Sequence, residues 1–363
     1  MAVELKSLII GDLNIPVPII QGGMGVKVST ASLASAVANC GGAGTIASVG
    51  LGYGSLDNKT QFVKASNEGL QREIRKAKEL TKGVIGINIL VAVSNYEDLA
   101  RTAVSEKADF IVSGAGLPMK LPEFTEGSSV KIIPIVSSDR AADIIIRTWR
   151  KRYNRLPDAI VVEGPLAGGH LGFRREDLDL HKENSLEKLT VDVLGVIKRY
   201  EEELGVNIPL IAAGGIFTGK DLVKFLELGA SGVQMATRFV ATNECSVDES
   251  FKQLYIKAKE EDVIIIESPV GLPGRAIKTA FIERVSSGVR VPFKCTYQCL
   301  RSCNPKTAPY CIGEALYNAI GGNLDNAVVF AGSNVFRVRK IVPVKELIDE
   351  IIAEAAVELN KVV

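Results

Sequence analysis

Histidine is scarce in this sequence of 363 residues, where it occurs only at positions 170 and 181. Any imidazole used for catalysis or for metal binding therefore has to be one of these two. Net charge is nearly absent as well, at +1, which argues against nucleic acid or an anionic membrane surface as a partner. Glycine, proline or charge interrupts each apolar run before it reaches membrane-spanning length. The first ten residues include Glu4 and Lys6 and lack the apolar core of a signal peptide, so we expect a cytoplasmic protein.

Apolar residues, in contrast, are plentiful. They make up 47% of the chain, beside 23% charged and 6% aromatic residues, which is typical of an ordinary globular enzyme. A chain of this length can form two domains or one large α/β barrel.

Eight short apolar segments recur along the chain, with segments of helical character between them. Each is continuously apolar rather than alternating, as expected for strands that are covered on both faces. Eight strand–helix alternations predict a (β/α)8 TIM barrel, and a doubly wound open sheet is the alternative. The predicted strands are residues 17–20, 43–47, 84–88, 109–112, 132–136, 159–162, 209–212 and 232–235.

The alternation stops after residue 260. Up to that point the predicted helices are residues 30–39, 68–80, 96–105, 140–150, 185–204, 219–228 and 248–260. Beyond it we predict a strand at 263–267, a turn-rich stretch at 271–275, and helices at 312–320 and 344–359. We therefore divide the chain into a barrel domain at 1–265 and a C-terminal extension at 266–363, which contains a cysteine cluster and is long enough to cap one face of the barrel.

Two glycines and a histidine follow the sixth predicted strand, in the sequence Val-Val-Glu-Gly-Pro-Leu-Ala-Gly-Gly-His at residues 161–170. The C-terminal ends of barrel strands surround the mouth at which barrel enzymes carry out their chemistry. His170 is therefore the candidate catalytic residue, and the alternative is a histidine in a flexible surface turn.

The same ends of the other predicted strands carry glycine and short polar side chains. Glycine allows the backbone to approach a flat or phosphorylated ligand closely. Loops after the seventh and eighth strands are the usual phosphate site of this fold, and the predicted helix start near Gly219 would offer backbone N–H groups to an anion. We expect a phosphate there, and a mononucleotide rather than a dinucleotide, because the glycines after the first strand do not have the dinucleotide spacing. The residues at the C-terminal ends of the predicted strands, which form the predicted mouth, include Gln21, Gly22, Gly23, Met24, Gly25, Ser48, Asn88, Glu163, Gly214, Gly215, Ala236 and Thr237.

Five motifs resemble, in the right order, the nitronate monooxygenase family, formerly called 2-nitropropane dioxygenases, which includes the flavin-type enoyl-ACP reductases. The resemblance extends over roughly residues 15–280. The motifs are Pro-Ile-Ile-Gln-Gly-Gly-Met-Gly at 18–25, Gly-Ile-Asn at 86–88, Gly-Gly-His at 168–170, Ala-Gly-Gly-Ile at 213–216 and Met-Ala-Thr-Arg-Phe at 235–239.

The resemblance implies that FMN is bound in the barrel domain. The FMN phosphate would lie on Gly214, Gly215, Ala236 and Thr237. The flavin ring would pack on the backbone of Gly22, Gly23 and Met24, with Asn88 hydrogen-bonded to its polar edge. Gly168 and Gly169 would line the same site, and His170 would be the family histidine beside the flavin. Either role of that histidine, as a base or as a group that orients or protonates substrate, suits an imidazole.

Three functions remain open. The first, which we expect, is the oxidation of alkyl nitronates by oxygen. The second is the reduction of 2-enoyl thioesters, with NAD(P)H or ferredoxin as the electron donor. The third is a flavin-free phosphosugar isomerase or aldolase, which would need a lysine or paired acids at the strand ends, and the predicted mouth shows neither. The partner is in each case a small molecule, and we expect a homodimer as the assembly.

Four cysteines in the extension depart from the simplest family pattern. Cys295, Cys299, Cys303 and Cys311 lie within seventeen residues, and the first three are spaced by four, so that they would line one side of a helix or converge in a loop. A [4Fe–4S] cluster needs four such thiolates. A structural zinc ion also needs four but usually shows paired knuckles, and buried thiols without a metal are the third interpretation. A cluster close to FMN would favour a reductase that exchanges single electrons with ferredoxin.

Two charged residues near the predicted mouth leave alternatives open. Glu163 would be a structural anchor of the loop, which we favour, or a contact to the flavin. Arg275 would meet an anionic substrate at the rim, or it would stabilise its own turn.

Overall fold

Eight parallel strands form the centre of the molecule, as the sequence predicts. Residues 5–53, 59–178 and 184–361 are described in the computed structural model. The strands are neighbours in chain order, and the parallel bridge between Ile20 and Ala43 joins the first strand to the second. The architecture is therefore a (β/α)8 TIM barrel. Its strands are Ile19–Gln21, Gly44–Ala47, Ile85–Leu90, Phe110–Gly114, Lys131–Val136, Ile160–Glu163, Leu210–Ala213 and Gly232–Met235.

Alternate residues of these strands build two separate apolar layers. Ile20, Ile133 and Ile211 are buried in the cluster that fills the barrel, whereas Ile132 and Leu210, one position away, pack in the larger cluster with the helices. The N-terminal hairpin, Leu8–Ile10 paired with Leu13–Ile15, adds to the inner cluster. Each strand is covered on both faces, which explains its continuously apolar sequence.

The final helix lies next to the barrel rather than in the cap. Val344–Leu359 packs against the first and seventh barrel helices, Ala31–Asn39 and Gly219–Glu227, so it occupies the place of an eighth barrel helix. Glu354 of this helix accepts a hydrogen bond from Gly219 N at 2.7 Å. The remaining α-helices are Lys59–Leu80, Tyr96–Ser105, Leu121–Phe124, Asp139–Tyr153, Leu186–Leu204, Thr237–Val240, Glu249–Lys257, Ala280–Ser286 and Ile312–Ile320, with 3-10 turns at Glu176–Leu178, Glu260–Asp262, Leu324–Asn326 and Val335–Arg337.

A small antiparallel sheet lies at the mouth. Its central strand, Pro273–Ile277 of the extension, pairs with Val329–Phe330, also of the extension, and with Val263–Glu267, which crosses the predicted boundary at residue 265. It also pairs with Gly169–His170, which belongs to the loop after the sixth barrel strand. The extension is therefore fastened directly to the Gly-Gly-His loop. Within the described ranges, no helix combines the length and the apolar character needed to cross a membrane.

Candidate active site

The residues that the sequence places at the mouth surround one large cavity. It lies between the C-terminal ends of the barrel strands and the extension. Its wall includes every residue predicted to bind the flavin or to act in catalysis, namely Gly22, Gly23, Met24, Asn88, Gly168, Gly169, His170, Gly214, Gly215, Ala236 and Thr237. The structure thus brings these residues together, whereas His181, the other histidine, lies outside the described residues.

Close backbone packing explains the glycines after the first strand. The Gln21 side chain is fully buried, accepts a hydrogen bond from Thr45 N at 3.0 Å and donates to Gly22 O. A Cβ atom at Gly23 would lie 2.2 Å from the Cβ atom of Asn88, so no larger residue fits. This wall presents backbone, with the Asn88 amide directly behind it, and is suited to a flat ligand.

The backbone of the loop after the seventh strand allows a ligand to approach it closely. Gly214 and Gly215 have φ angles of 96° and 92°, which L side chains rarely adopt. Asn334 from the extension donates from Nδ2 to Gly215 O at 2.6 Å. The Ser333 hydroxyl is buried without a hydrogen-bond partner among the described residues, and it lines the cavity beside these glycines. A buried hydroxyl without a partner costs free energy, and a phosphate oxygen would satisfy it.

The backbone N–H groups at the start of the seventh barrel helix, which were predicted to bind phosphate, already donate hydrogen bonds within the protein. The Asp221 carboxylate accepts from Phe217 N and Thr218 N at 2.9 and 2.8 Å. Thr218 Oγ1 accepts from Asp221 N, and Gly219 N donates to Glu354. The expectation that this helix start holds an anion was therefore wrong, because a capping box and the final helix already use its N–H groups. Any phosphate at this end therefore has to use the Gly214–Gly215 loop, Ala236 and Thr237 after the eighth strand, and residues of the extension.

His170 is enclosed in the wall of the cavity. It lies on the short strand that pairs with Gly274, and its ring centroid is 4.9 Å from that of Phe330. Burial lowers the pKa of its imidazole to about 4, so the ring is neutral at physiological pH.

Ser268 sets the orientation of this ring. Its hydroxyl lies 2.8 Å from His170 Nε2 and accepts from Val270 N at 3.3 Å. This contact holds the ring through Nε2 in either tautomer of the neutral imidazole.

Glu163, at the end of the sixth strand, also lines the cavity. Enclosure by the protein raises the pKa of its carboxyl from 4.5 to about 7. No hydrogen bond to it occurs within the described part of the chain. The carboxyl therefore gains or loses its proton close to neutral pH.

Arg275 supports the Gly-Gly-His loop rather than meeting a ligand. It is 5% exposed and donates to the carbonyl oxygens of Pro165 and Ala167, the latter at 2.7 Å. Burial lowers the pKa of its guanidinium to about 10. Neither prediction for this residue matches these contacts, because Arg275 is buried on a strand and supports a different loop rather than its own turn.

The opposite wall of the cavity consists of side chains that sequence reasoning missed. Tyr53 and Phe62 contact each other edge to face, with centroids 5.7 Å apart, and Phe62 stacks on Tyr297 at 4.9 Å. Leu316 and Phe330 complete this wall. No pattern near these residues pointed to the mouth, because the loop and helix that carry them reach it only through tertiary packing.

The four cysteines lie in an irregular loop, not on a helix. Among the residues that the structure describes, no group of three or more His, Cys, Asp and Glu side chains is arranged to hold a metal ion. The prediction that Cys295, Cys299, Cys303 and Cys311 bind metal is therefore not confirmed.

Comparison with known proteins identifies the family. The model of the family described as nitronate monooxygenase matches residues 6–106 and 87–354. A (3aS,4S,5R,7aS)-5-hydroxy-7a-methyl-1-oxo-octahydro-1H-indene-4-carboxyl-CoA dehydrogenase of Mycobacterium tuberculosis is 29% identical over 278 residues, which cover 77% of this chain and 68% of that protein. A probable nitronate monooxygenase of Staphylococcus saprophyticus is 27% identical over 314 residues, with 78% and 81% covered. Among solved structures, FabK from Thermotoga maritima has a TM-score of 0.75 and 29% identity, with 96% and 95% covered.

Proposed function

Because the chain belongs to the nitronate monooxygenase family and is an oxidoreductase, we propose that it uses FMN and reduces a substrate of the enoyl thioester class, whose reacting end is uncharged and largely apolar. Oxidation of alkyl nitronates, the function expected from the sequence, is the second candidate. The family model and the staphylococcal relative favour it.

FMN fits the residues that surround the cavity. Gly22, Gly23 and Met24 would contact the flavin ring, and Asn88 would contact its polar edge. The phosphate would lie at Gly214, Gly215, Ala236 and Thr237, beside Ser333 and its unpartnered hydroxyl. When bound, FMN supplies hydride or single-electron transfer. The protein has to position the substrate and handle its proton.

The charge of the cavity wall is the observation that favours an enoyl thioester over a nitronate as the substrate. No Lys or Arg side chain is found among the described residues that line it. Lys27 lies nearby, but its ammonium donates to Tyr53 O at 3.1 Å. His170 is neutral, and Glu163 is neutral or negative. Backbone N–H groups of the glycine loops can compensate the FMN phosphate, but an anionic nitronate above the flavin ring would be desolvated without a compensating cation, which is costly. An enoyl thioester has no charge at its reacting end.

His170 and Glu163 have different tasks in this proposal. His170, held by Ser268, is a neutral hydrogen-bonding group that orients the substrate above the flavin. It does not act as the proton donor at neutral pH, because its pKa lies near 4. Glu163, with a pKa near 7, carries a proton in a large fraction of molecules at neutral pH and would supply the one that the product needs.

Steady-state kinetics of the FMN-loaded protein test this proposal. We expect kcat/KM for crotonyl-CoA, with NAD(P)H as donor, to exceed kcat/KM for propyl nitronate in air. A larger value for the nitronate would establish the second candidate instead. The mycobacterial relative, a carboxyl-CoA dehydrogenase, adds weight to the first candidate.

A further inference from the structure

The four clustered thiols form a site of their own beside the flavin cavity. Cys295, Cys299, Cys303 and Cys311 line one small cavity together with Phe293, Gln298, Leu300 and Ile312. Each thiol lies within electrostatic range of at least two of the others. Residues far apart in a loop of irregular backbone are thus gathered around a common space.

Backbone contacts hold this loop against the barrel. Ser94 N donates to Cys299 O at 2.9 Å, and Arg301 N donates to Ala92 O at 3.0 Å. An antiparallel bridge joins Val93 to Leu300 between them. These residues of the barrel follow the third strand, so the position of the cysteines relative to the mouth is fixed by the fold.

The arrangement of the four thiols distinguishes between metal groups. A single tetrahedral zinc ion with Zn–S bonds of about 2.3 Å requires sulfur atoms only about 3.8 Å apart. The described side chains show no such convergence. An iron–sulfur core contains several atoms, and its four thiolates surround it at wider spacing. Four thiols that line one cavity without meeting at a point fit this second geometry.

We propose that Cys295, Cys299, Cys303 and Cys311 bind a [4Fe–4S] cluster. Each sulfur would form one bond to iron and release its thiol proton to solvent, so that a core of charge +2 gains four thiolates and the site carries −2. Cys295 is exposed and the other three thiols are partly buried, which leaves one side open for assembly. Exposed Lys294, Arg301 and Lys306 would offset the negative charge.

The site adjoins the flavin cavity. Cys299, Leu300 and Ile312 line both cavities, and Tyr53, which faces the larger one, donates its hydroxyl to Cys299 Sγ at 3.2 Å. A cluster here is placed to pass single electrons from a one-electron carrier of the ferredoxin class towards FMN. This relay rests on the proposed function, whereas cluster binding does not.

Anaerobic reconstitution of the full FMN-loaded chain with ferrous iron and sulfide tests the site. We expect about four iron and four sulfide per chain and an electron paramagnetic resonance signal after dithionite reduction. Cys303→Ser, and independently the exposed Cys295→Ser, should lose both. Cys40→Ser, a half-buried thiol outside the loop, is the matched control and should keep them.

Two results would overturn the proposal: no iron or sulfide retained by a protein with a full complement of flavin, or one zinc ion per chain without sulfide. The relay has a separate readout. Cys303→Ser should slow flavin reduction by reduced methyl viologen about tenfold while reduction by NAD(P)H is unchanged. Equal rates in the two proteins would remove the relay, and failure to turn over enoyl thioesters would remove the proposed function while leaving the cluster in place.

Discussion

The two walls of the active-site cavity are built in different ways. The barrel wall consists mostly of backbone and glycine at the strand ends, with Gly23 pressed against Asn88 and Gly214 at a φ angle of 96°. The wall from the cap consists of side chains such as Phe330, Leu316 and Cys299. In our proposal the backbone groups of the barrel wall hold FMN, whereas side chains of the cap determine which substrate fits above it. Cofactor and substrate are therefore specified by different parts of the chain.

The largest effect should come from the barrel wall. Gly214→Val places a branched side chain at a backbone conformation that it disfavours, and its Cβ atom would lie 2.9 Å from Gly164 O. We expect the affinity for FMN to fall about 100-fold or more, as measured by flavin fluorescence titration. Gly195→Ala, in a helix with no neighbour within 4 Å, is the control and should bind FMN normally. Equal affinity in both variants would show that the glycine loop does not hold the cofactor.

His170→Ala tests the point where the two walls meet. The flavin should stay bound, because the imidazole contacts Ser268 and Phe330, but kcat should fall about 100-fold. Ser268→Ala keeps the imidazole and removes only the hydrogen bond that orients it, so the loss of kcat should be several-fold smaller. Turnover that is unchanged in His170→Ala would exclude the residue from the mechanism.

The pH dependence separates Glu163 from His170. The Glu163 carboxyl keeps its proton below a pKa of about 7 and loses it above. If it supplies the proton, kcat/KM of the wild type should decrease as pH rises through about 7, by about tenfold per unit at higher pH. His170, with a pKa near 4, cannot cause a change in this range. Glu163→Gln should be slower but without this inflection, and the same inflection in the variant would assign it to another group.

A smaller effect is expected on the cap wall. Leu316→Lys introduces a cation into a cavity wall where the structure describes none. It should raise kcat/KM for propyl nitronate relative to crotonyl-CoA by about fivefold, corresponding to about 1 kcal/mol of ion pairing. Leu316→Met, of similar volume, is the control and should leave the ratio unchanged. A ratio equally unchanged in both variants would mean that charge does not select the substrate.

The difference between the barrel wall and the wall from the cap also explains which features the sequence could predict. Strands show a local apolar pattern, so all eight barrel strands were predicted close to their observed bounds, and with them the glycines and His170 of the mouth. The second barrel helix begins at Lys59 rather than 68, because its first turns are mostly polar, with Phe62 and Val63 as their only large apolar side chains, and give a weak apolar pattern.

Contacts between distant parts of the chain could not be predicted. The capping box of Thr218 and Asp221 and the bond from Gly219 N to Glu354 remove the expected helix donors. Ser333 and Asn334 reach the glycine loop from more than 110 residues away. A short tract of small and polar residues, Ala-Gly-Ser-Asn at 331–334, was the only local signal for them. The division at residue 265 stays a prediction, and the final helix, beyond it in sequence, packs on the barrel.

The most direct test of the central claim follows the flavin absorbance of the FMN-loaded protein without oxygen. The flavin is first reduced with dithionite, and crotonyl-CoA is then added. We predict that the oxidised flavin bands return at a rate consistent with turnover. If the bands stay bleached, while propyl nitronate bleaches the oxidised protein under the same conditions, the enzyme oxidises nitronates and our account of the cavity is wrong.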